Sequence, residues 1–578
     1  MAGSKKKRRH AEKIKVPSYK ARRLFLLAVF AFAFGSLIWR SVDRQVFETA
    51  FLQQQGEKRY LKPMKVRASR GMITDRNGEP LAISTPVKSI FANPRKLKAD
   101  SKTIGAIASI LDLNPDRVRR LLASDRGFVY LKRRVNPDVA QQVKALDLEG
   151  IGLESEHRRY YPSGEVMAHM VGLTGIDDQG LEGMELAYNE WLSGVNGAKR
   201  VIMDGRRRVI KEVENIQSPR PGNDLVLSLD RRLQFLAYRE LKKAVMAHKA
   251  VSGSVVILDA KSGEVLAMVN RPAYNPNGRR NNRRGSFRNR AVTDVFEPGS
   301  TVKPFVVAAA LERGRFKPDT PIDVTPGLLR VGRHLVKDSH NYGRIDVATV
   351  LSKSSNVGVS KIALALKPEI LWKLYSQVGF GRSAESMFPG ESSGRLPHFS
   401  DWSQFEQATL SFGYGLSVTP LQLAGAYAVL ANDGVKLPVS LLKVSELPKG
   451  ERVVRRSTAR SVVHMLEAVV AKGGTAPLAA IPGYRVAGKT GTAKKSVAGG
   501  YAEDKYISLF VGMAPASDPR LVMAVMINEP RGKDYYGGKV AAPVFAKVMS
   551  GALRLLNIPP DAPLVATPLL AGSGGRHR

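Results

Sequence analysis

The sequence contains no cysteine, and its 578 residues include only nine histidines. Without thiols the protein has no disulfide scaffold, no cysteine nucleophile and no cysteine-ligated zinc or iron–sulfur site. The histidines show no metal-ligand spacing, and no H-E-x-x-H motif occurs. We therefore expect neither a bound metal nor another cofactor.

Acidic residues are also few, because 51 Asp and Glu stand against 90 Lys and Arg, for a formal charge of +39. Such an excess first suggests a nucleic-acid partner. The charge is uneven, however: residues 1–23 alone supply +9, and a dense patch at residues 279–290 holds six arginines. The charge therefore constrains the partners only weakly until each segment is interpreted.

Long apolar runs are limited to residues 24–39, which are uncharged and lie between Arg23 and Arg40. As a helix they span about 24 Å, less than the ~30 Å hydrocarbon core, but flanking arginines can reach the headgroups. The basic run at residues 5–9 favours a cytoplasmic N-terminus. We predict an uncleaved anchor at residues 24–41 behind a cytoplasmic tail, residues 1–23. A cleaved signal peptide, with an A-x-A site at residues 31–33, is the alternative.

Beyond the anchor, composition divides the chain further. Residues 42–60 are polar and predict a linker, and residues 61–220 mix short apolar runs with turns. The P-R-P-G segment at residues 219–222 marks a boundary, so a second domain is predicted at residues 221–560. Residues 561–578 lack helical or strand periodicity and predict a mobile tail.

The second domain contains two predicted hairpins, at residues 254–269 and 507–526, with a fifth strand expected at residues 484–487. More than 200 residues between the hairpins include helical stretches at 302–311 and 421–430. After the second hairpin, Val544, Phe545, Val548 and Met549 recur at helical spacing. This order predicts an antiparallel sheet packed with helices.

Residues 483–490 match the phosphate-loop pattern G-x-x-x-x-G-K-[ST] at every position. Such a loop must follow a buried strand and open a helix, whereas here Pro482 precedes it and Gly491 follows. We reject a nucleotide site and instead place Lys489, Thr490, Gly491 and Thr492 on a strand edge.

Ser300 and Lys303 form an S-x-x-K motif at a predicted helix start, where the hydroxyl and the amine are neighbours. A neutral lysine can take the serine proton, and burial or a second cation such as Lys489 would lower its pKa. Ser354 and Asn356 form S-x-N downstream, followed by K-T-G at residues 489–491. The motifs are weak singly, but in this order they indicate a serine acyl-transfer site.

With these motifs, the chain resembles the class B penicillin-binding proteins. The resemblance includes R-G-M-I-T-D-R-N-G at residues 70–78, R-Y-Y-P-S-G at 159–164, G-L-E-G-M-E at 180–185 and G-Y-G at 413–415. The F-E-P-G segment before Ser300 is similar to the division type. The resemblance implies an α+β transpeptidase fold, a five-stranded antiparallel sheet flanked by helices, preceded by an elongated α+β pedestal or dimerisation domain and one transmembrane helix.

The resemblance also implies roles for single residues. Ser300 attacks the penultimate D-Ala carbonyl of a peptidoglycan stem peptide, and Lys303 accepts its proton. Ser354 and Lys489 relay a proton to the leaving amine, while Asn356 bonds the substrate amide. The remaining roles are an oxyanion hole of the Ser300 and Thr492 backbone N–H groups, and hydroxyls of Thr490 and Thr492, flanking Gly491, that hold the terminal carboxylate.

Further implications concern location and partners. The enzyme would be a single-pass protein of the inner membrane, with its catalytic domain in the periplasm and no nucleic-acid partner. It would bind β-lactam antibiotics as substrate mimics, and would meet a membrane glycosyltransferase of the division machinery and other divisome proteins.

Several alternatives remain. A serine β-lactamase or a D,D-carboxypeptidase shares the three motifs, and an accessory paralogue or a non-catalytic division scaffold would carry the same pedestal. The arginine patch from Arg279 to Arg290 is either a solvated loop or a loop that attracts an anionic polymer.

Overall fold

The computed structural model describes residues 19–47, 49, 51, 61–203, 209–278, 285–497 and 499–563. Most of the predicted basic tail and linker, and most of the predicted C-terminal tail, therefore lie outside the described residues. The same holds for residues 279–284 of the arginine patch.

The N-terminal helix runs from Lys20–Val42 and continues as a wider π-type turn, Asp43–Phe47. None of its residues is buried against the rest of the chain. It is longer than the predicted 24–41, so the helix spans about 35 Å and needs less help from its flanking arginines. Among the described residues it is the one helix long and apolar enough to cross a membrane.

The pedestal that follows is built on two larger sheets and the two-stranded sheet β6-β7. One has the order β1-β8-β9, and the other has the order β10-β2-β3-β4 with β5 paired to β3. The strands are β1 Leu61–Val66, β2 Ile73–Thr74, β3 Pro80–Ala92, β4 Val129–Val135, β5 Ile151–Tyr160, β6 Leu173–Thr174, β7 Gly180–Glu182, β8 Gly197–Met203, β9 Val209–Gln217 and β10 Leu225–Val226. Its α-helices are Ser101–Leu111, Pro115–Leu122, Pro137–Ala145, Ala168–Val171, Gly183–Ala187 and Asn189–Leu192.

Three of the motif segments of the pedestal meet at one buried ion cluster. Glu185 accepts a hydrogen bond from Arg70 Nε at 2.5 Å on one carboxylate oxygen, and from Arg159 Nε at 2.6 Å on the other. All three side chains are at most 3% exposed. The motifs at residues 70–78, 159–164 and 180–185 are therefore joined to one another by this ion cluster.

The pedestal and the second domain share a continuous core. β10 pairs in parallel with β2, and the Arg231 N–H donates to Asp75 Oδ2 at 3.1 Å. Arg76 forms an ion pair with Glu264 at 3.2 Å, and the core cluster includes residues of both domains. The part of the pedestal around β3, β4 and the neighbouring helices has a separate core.

The second domain contains the predicted five-stranded antiparallel sheet. Its strands are β11 Ser252–Asp259, β12 Val265–Arg271, β19 Ala487–Val497, β20 Gly500–Ala514 and β21 Leu521–Asn528, in the order β12-β11-β21-β20-β19. Both predicted hairpins are confirmed. The predicted fifth strand at 484–487 is wrong, because the chain turns between Ile481 and Tyr484 and the strand begins only at Ala487.

Helices cover both faces of this sheet. They are Arg231–Ala247, Arg290–Thr293, Lys303–Glu312, Val347–Lys353, Asn356–Leu364, Pro368–Gln377, Gln404–Ser411, Pro420–Ala431, Arg456–Val470, Gly537–Val540 and Ala542–Leu555. The helical spacing after the second hairpin is confirmed, since Val544, Phe545, Val548 and Met549 are all buried. The domain also contains three short two-stranded sheets: β13 Pro321–Asp323 with β16 Arg344–Asp346, β14 Leu328–Val331 with β15 His334–Lys337, and β17 Val435–Lys436 with β18 Glu451–Arg452.

Candidate active site

Ser300 lies in a tight 3₁₀ turn, Gly299–Val302, that leads directly into the buried helix Lys303–Glu312. The predicted helix start at residue 302 is therefore close, but Ser300 itself lies before the α-helix. Gly299 has φ +54°, and its N–H donates to the Gly413 carbonyl at 3.2 Å. In a 3₁₀ turn side chains three residues apart are aligned, so Ser300 and Lys303 still share one side.

Lys303 is completely buried, and its amine is surrounded by acceptors. Nζ donates to the Ser354 carbonyl at 2.5 Å, to Ser354 Oγ at 3.2 Å and to Asn356 Oδ1 at 2.8 Å. Burial, and then the positive charge of Lys489, hold the pKa of Lys303 well below its ordinary value, while Asp338 acts in the opposite direction. The amine is thus suited to accept a proton at neutral pH.

Ser354 occupies a strained turn between two helices, Val347–Lys353 and Asn356–Leu364. Its φ of +61° lies in the left-handed region, which is unusual for a serine. This conformation lets its carbonyl and its hydroxyl both reach Lys303. Strain of this kind occurs at functional sites where surrounding contacts enforce it.

Lys489 enters the site from β19 and is also completely buried. Its Nζ donates to Ser354 Oγ at 3.0 Å and to the Thr490 carbonyl at 3.3 Å. Burial lowers the pKa of Lys489 to about 7. Because residues 487–497 form a strand and open no helix, the rejection of the phosphate-loop interpretation is confirmed.

The remaining predicted residues line the same strand. A methyl group on Gly491 would lie 2.9 Å from Thr301 Cγ2 and 3.0 Å from the Pro298 carbonyl, so glycine permits β19 to approach the serine turn. Thr492 Oγ1 accepts the Gly537 N–H at 3.0 Å, and Thr490 Oγ1 lies 3.0 Å from Thr475 Oγ1. The structure thus brings together every site residue that the sequence predicted.

Two polar neighbours of the site were missed. Thr475 contacts the Thr490 hydroxyl, and the Asp338 carboxylate accepts hydrogen bonds from the segment that follows Ser354. Neither lies in a recognisable motif, so only the folded chain reveals them.

Of the arginine patch, Arg288 and Arg290 form ion pairs with Asp294 at 2.5 and 3.6 Å. Within the part of the chain that the structure describes, no cluster of three metal-ligating side chains occurs.

Comparison with known families agrees with this geometry. A model of the penicillin binding protein transpeptidase domain matches residues 253–550, and a model of the penicillin-binding protein dimerisation domain matches residues 65–227. The chain is a class B penicillin-binding protein. The transpeptidase match includes all three motifs of the site.

Individual relatives of this penicillin-binding protein are similar over almost its whole length. The peptidoglycan D,D-transpeptidase FtsI of Escherichia coli (strain K12) is 47% identical over 544 residues, covering 93% of this chain and 91% of that protein. The probable peptidoglycan D,D-transpeptidase PenA of Neisseria meningitidis serogroup A is 42% identical over 563 residues, covering 96% of each. The apo transpeptidase domain of penicillin-binding protein 3 from Burkholderia pseudomallei is 44% identical, with a TM-score of 0.55, and covers 58% of this chain and 98% of that chain. The predicted resemblance, including the division type, is confirmed.

Proposed function

We propose that this protein is a peptidoglycan D,D-transpeptidase that cross-links stem peptides in septal cell-wall synthesis. The observation that supports it best is the convergence of two buried lysines on one hydroxyl beside the serine turn. Lys303 and Lys489 lie 3.2 and 3.0 Å from Ser354 Oγ. The septal role rests on the similarity to FtsI and on the division-type segment before Ser300.

In the acylation step, the Ser300 hydroxyl forms a bond with the penultimate D-Ala carbonyl carbon. Lys303, held neutral by burial, takes the hydroxyl proton. The peptide C–N bond then breaks, and Ser354 passes a proton from Lys489 to the departing D-Ala amine. With a pKa of about 7, Lys489 is matched to such a transfer near neutral pH.

The substrate is bound by β19 and by the turn that contains Ser300. We assign the oxyanion hole to the backbone N–H groups of Ser300 and Thr492, and the terminal carboxylate to the hydroxyls of Thr490 and Thr492. Gly491 keeps this strand close to the serine. Asn356, anchored by its side-chain bond to Lys303, bonds the substrate amide.

In the second step, the amine of a neighbouring stem peptide attacks the ester carbonyl and gives a proton through Ser354 to Lys489, and the C–O bond to Ser300 breaks. The new amide is the cross-link, and Ser300 regains its proton from Lys303. A β-lactam enters the first step as a substrate mimic, but its amine stays tethered and blocks the second.

The anchor and the pedestal position the catalytic domain relative to the membrane and to other proteins. We propose that the N-terminal helix holds the protein in the inner membrane with a cytoplasmic N-terminus and a periplasmic catalytic domain. The pedestal, residues 61–220, would contact a membrane glycosyltransferase of the division machinery and other divisome proteins. The transpeptidase domain would comprise residues 221–560.

Labelling of membranes with a fluorescent penicillin tests the function. Wild-type protein should form a stable covalent adduct, and the Ser300→Ala variant should form none. Failure of the wild type to label would refute the proposal. Rapid release of the label would favour a β-lactamase, and hydrolysis of a pentapeptide with no transfer to an added amine would favour a carboxypeptidase.

A further inference from the structure

An apolar cleft of about 590 Å³ opens on the transpeptidase domain, and its described lining contains no residue of the three motifs. The cleft lies beside the helix Arg456–Val470, the beginning of the helix Val347–Lys353 and the segment that leads into β19. The lining includes small apolar side chains, namely Ala348, Ala468, Ala471, Ala480, Val470 and Val486. Small side chains leave room for larger apolar side chains from an occupant, and the volume is within the usual range of binding pockets.

Part of this apolar lining is open to solvent. Ala468, Ala471 and Ala480 are exposed, whereas Met465 and Val486 are buried. An occupant of the alanine-lined cleft would therefore remove apolar surface from water, which favours binding.

The described chain ends at one wall of this cleft. Arg485 lines the cleft, and its backbone N–H donates to Asp561 Oδ1 at 2.7 Å. The Ala562 N–H donates to the Gly483 carbonyl at 3.1 Å. These bonds hold the last described residues, which end at Pro563, against the segment that forms the wall. The residues after Pro563 therefore start beside the cleft.

The segment that follows Pro563 has the composition that this cleft can accept. Residues 564–570 read L-V-A-T-P-L-L, and their leucines and valine supply the larger apolar side chains. Proline at positions 563 and 568 fixes φ and disfavours helix at the preceding residue, so the segment is biased towards extended chain. The lack of periodicity that predicted a mobile tail is compatible with docking in this form, and the prolines reduce the entropy lost on docking.

Charge favours this cleft over a second cavity. Residues 562–578 contain Arg576 and Arg578 and no acidic residue. The cleft sets three carboxylates against the guanidinium of Arg485: Asp319, Asp346 and Glu467. The second cavity, of about 1090 Å³, is lined by four arginines against two carboxylates: Arg231, Arg232, Arg239, Arg554, Asp75 and Glu79. A basic segment is therefore attracted to the first site and repelled by the second.

We propose that residues 564–570 dock in the alanine-lined cleft as an extended segment and cover its apolar side chains. The docked segment contacts two elements that lead to the active site. The helix Val347–Lys353 ends at Ser354, and the segment at Val486 leads into β19, which contains Lys489. Docking requires no chemistry at Ser300, so it can be tested separately from the proposed function.

The absence of cysteine allows a direct test, because introduced thiols have no native competitor. In full-length protein, Ala468→Cys is combined with cysteine at each of residues 564–570, one position at a time. A disulfide forms only where the two Cα atoms come within about 7 Å. Docking fixes one register, so we expect one or two tail positions to cross-link at least about tenfold faster than the others. Mass spectrometry of the digested, diluted protein identifies the intramolecular bond.

The matched control combines Phe235→Cys, at an exposed apolar residue of the second cavity, with the same tail positions. A mobile tail would cross-link to Ala468→Cys and to Phe235→Cys at similar rates, with little dependence on the tail position. That result would overturn the proposal. Faster cross-linking to Phe235→Cys would overturn it as well, because it would place the tail in the second cavity.

Limited proteolysis with chymotrypsin, which cuts after leucine, tests docking without introduced thiols. Ala468→Asp puts a charge into the cleft, so cleavage within residues 564–570 should be at least about tenfold faster than in wild type. Leu447→Asp, at an exposed apolar position outside the lining of the cleft, should leave the cleavage rate unchanged. Equal cleavage of wild type and Ala468→Asp would contradict docking.

Discussion

Lys489 donates a hydrogen bond of 3.0 Å to the hydroxyl of Ser354, across 135 residues of sequence. The bond joins the edge of the sheet to a turn between two helices. Because Lys303 reaches the same hydroxyl from a third element, the protonation of each lysine depends on the other.

The first prediction concerns the pH dependence of acylation. Lys489→Met removes the positive charge that lowers the pKa of Lys303, so that pKa should rise and the acid limb should move to higher pH. The maximal rate should fall by about 10²–10⁴, because Ser354 loses its proton donor. Lys505→Met, at an exposed position, is the control. A profile that keeps its shape in Lys489→Met would contradict this coupling.

The same substitution should stabilise the fold. The pKa of Lys489 falls from about 10.4 in the unfolded chain to about 7 in the folded one, so burial penalises folding at every pH below 10. At pH 7 we expect Lys489→Met to raise the free energy of unfolding by about 1–4 kcal/mol, after loss of its hydrogen bonds. The gain should shrink towards pH 10, where the lysine is neutral in both states. Denaturant unfolding at several pH values measures it, and a loss of stability at pH 7 would disprove the prediction.

A third prediction tests the approach of β19 to the serine turn. The methyl group of Gly491→Ala would press on Thr301 and on the Pro298 carbonyl, and the strand must move away. We expect acylation to slow by about tenfold to a hundredfold while the melting temperature changes little. Gly105→Ala, whose methyl group meets nothing within 4 Å, should acylate like wild type. Equal rates in the two variants would show that the close approach is unimportant.

A fourth prediction concerns the pedestal. Glu185→Ala leaves the guanidinium groups of Arg70 and Arg159 buried without a carboxylate, which should cost about 3–5 kcal/mol of stability. Glu214→Ala breaks an exposed ion pair with Arg200 and should cost less than about 1 kcal/mol. Thermal unfolding compares the two variants, and similar melting temperatures would argue against a stabilising role of the cluster.

The arginine patch is either a solvated loop or a loop that attracts an anionic polymer, and the salt dependence of binding distinguishes the two interpretations. If residues 279–290 attract an anionic polymer, replacing their arginines by glutamine should weaken the salt dependence of peptidoglycan binding. Unchanged salt dependence would leave the solvated-loop interpretation. Sedimentation with purified cell wall at several ionic strengths provides the measurement.

The residues predicted from sequence lie close together in the structure, and they could be found because each motif is local in the chain. Ser300 and Lys303 lie one turn apart, Ser354 and Asn356 flank one residue, and the threonines follow Lys489 directly. The sheet was predicted for a similar reason, since apolar runs on either side of a short turn indicate hairpins. The predicted start of the fifth strand was wrong, because the bounds of β19 are set by its pairing with β20 rather than by its own residues.

Asp338 and Thr475 were missed for a different physical reason. Each meets the site through tertiary contact, and neither belongs to a pattern that spacing can reveal. The low pKa of Lys489 is likewise a product of burial, which no local sequence encodes. Sequence thus predicted the candidate reacting groups, whereas the fold determines their proton affinity and their support.

The central sheet also has a consequence for how the protein is made. β11 pairs with β21, so that Asp259 lies opposite Leu521, a residue synthesised roughly 260 positions later. At about 5–20 residues per second, the early hairpin waits for tens of seconds with one apolar edge unpaired. Until that partner strand emerges, the five-stranded sheet cannot be completed, because β21 lies between the early hairpin and the two strands that include Lys489.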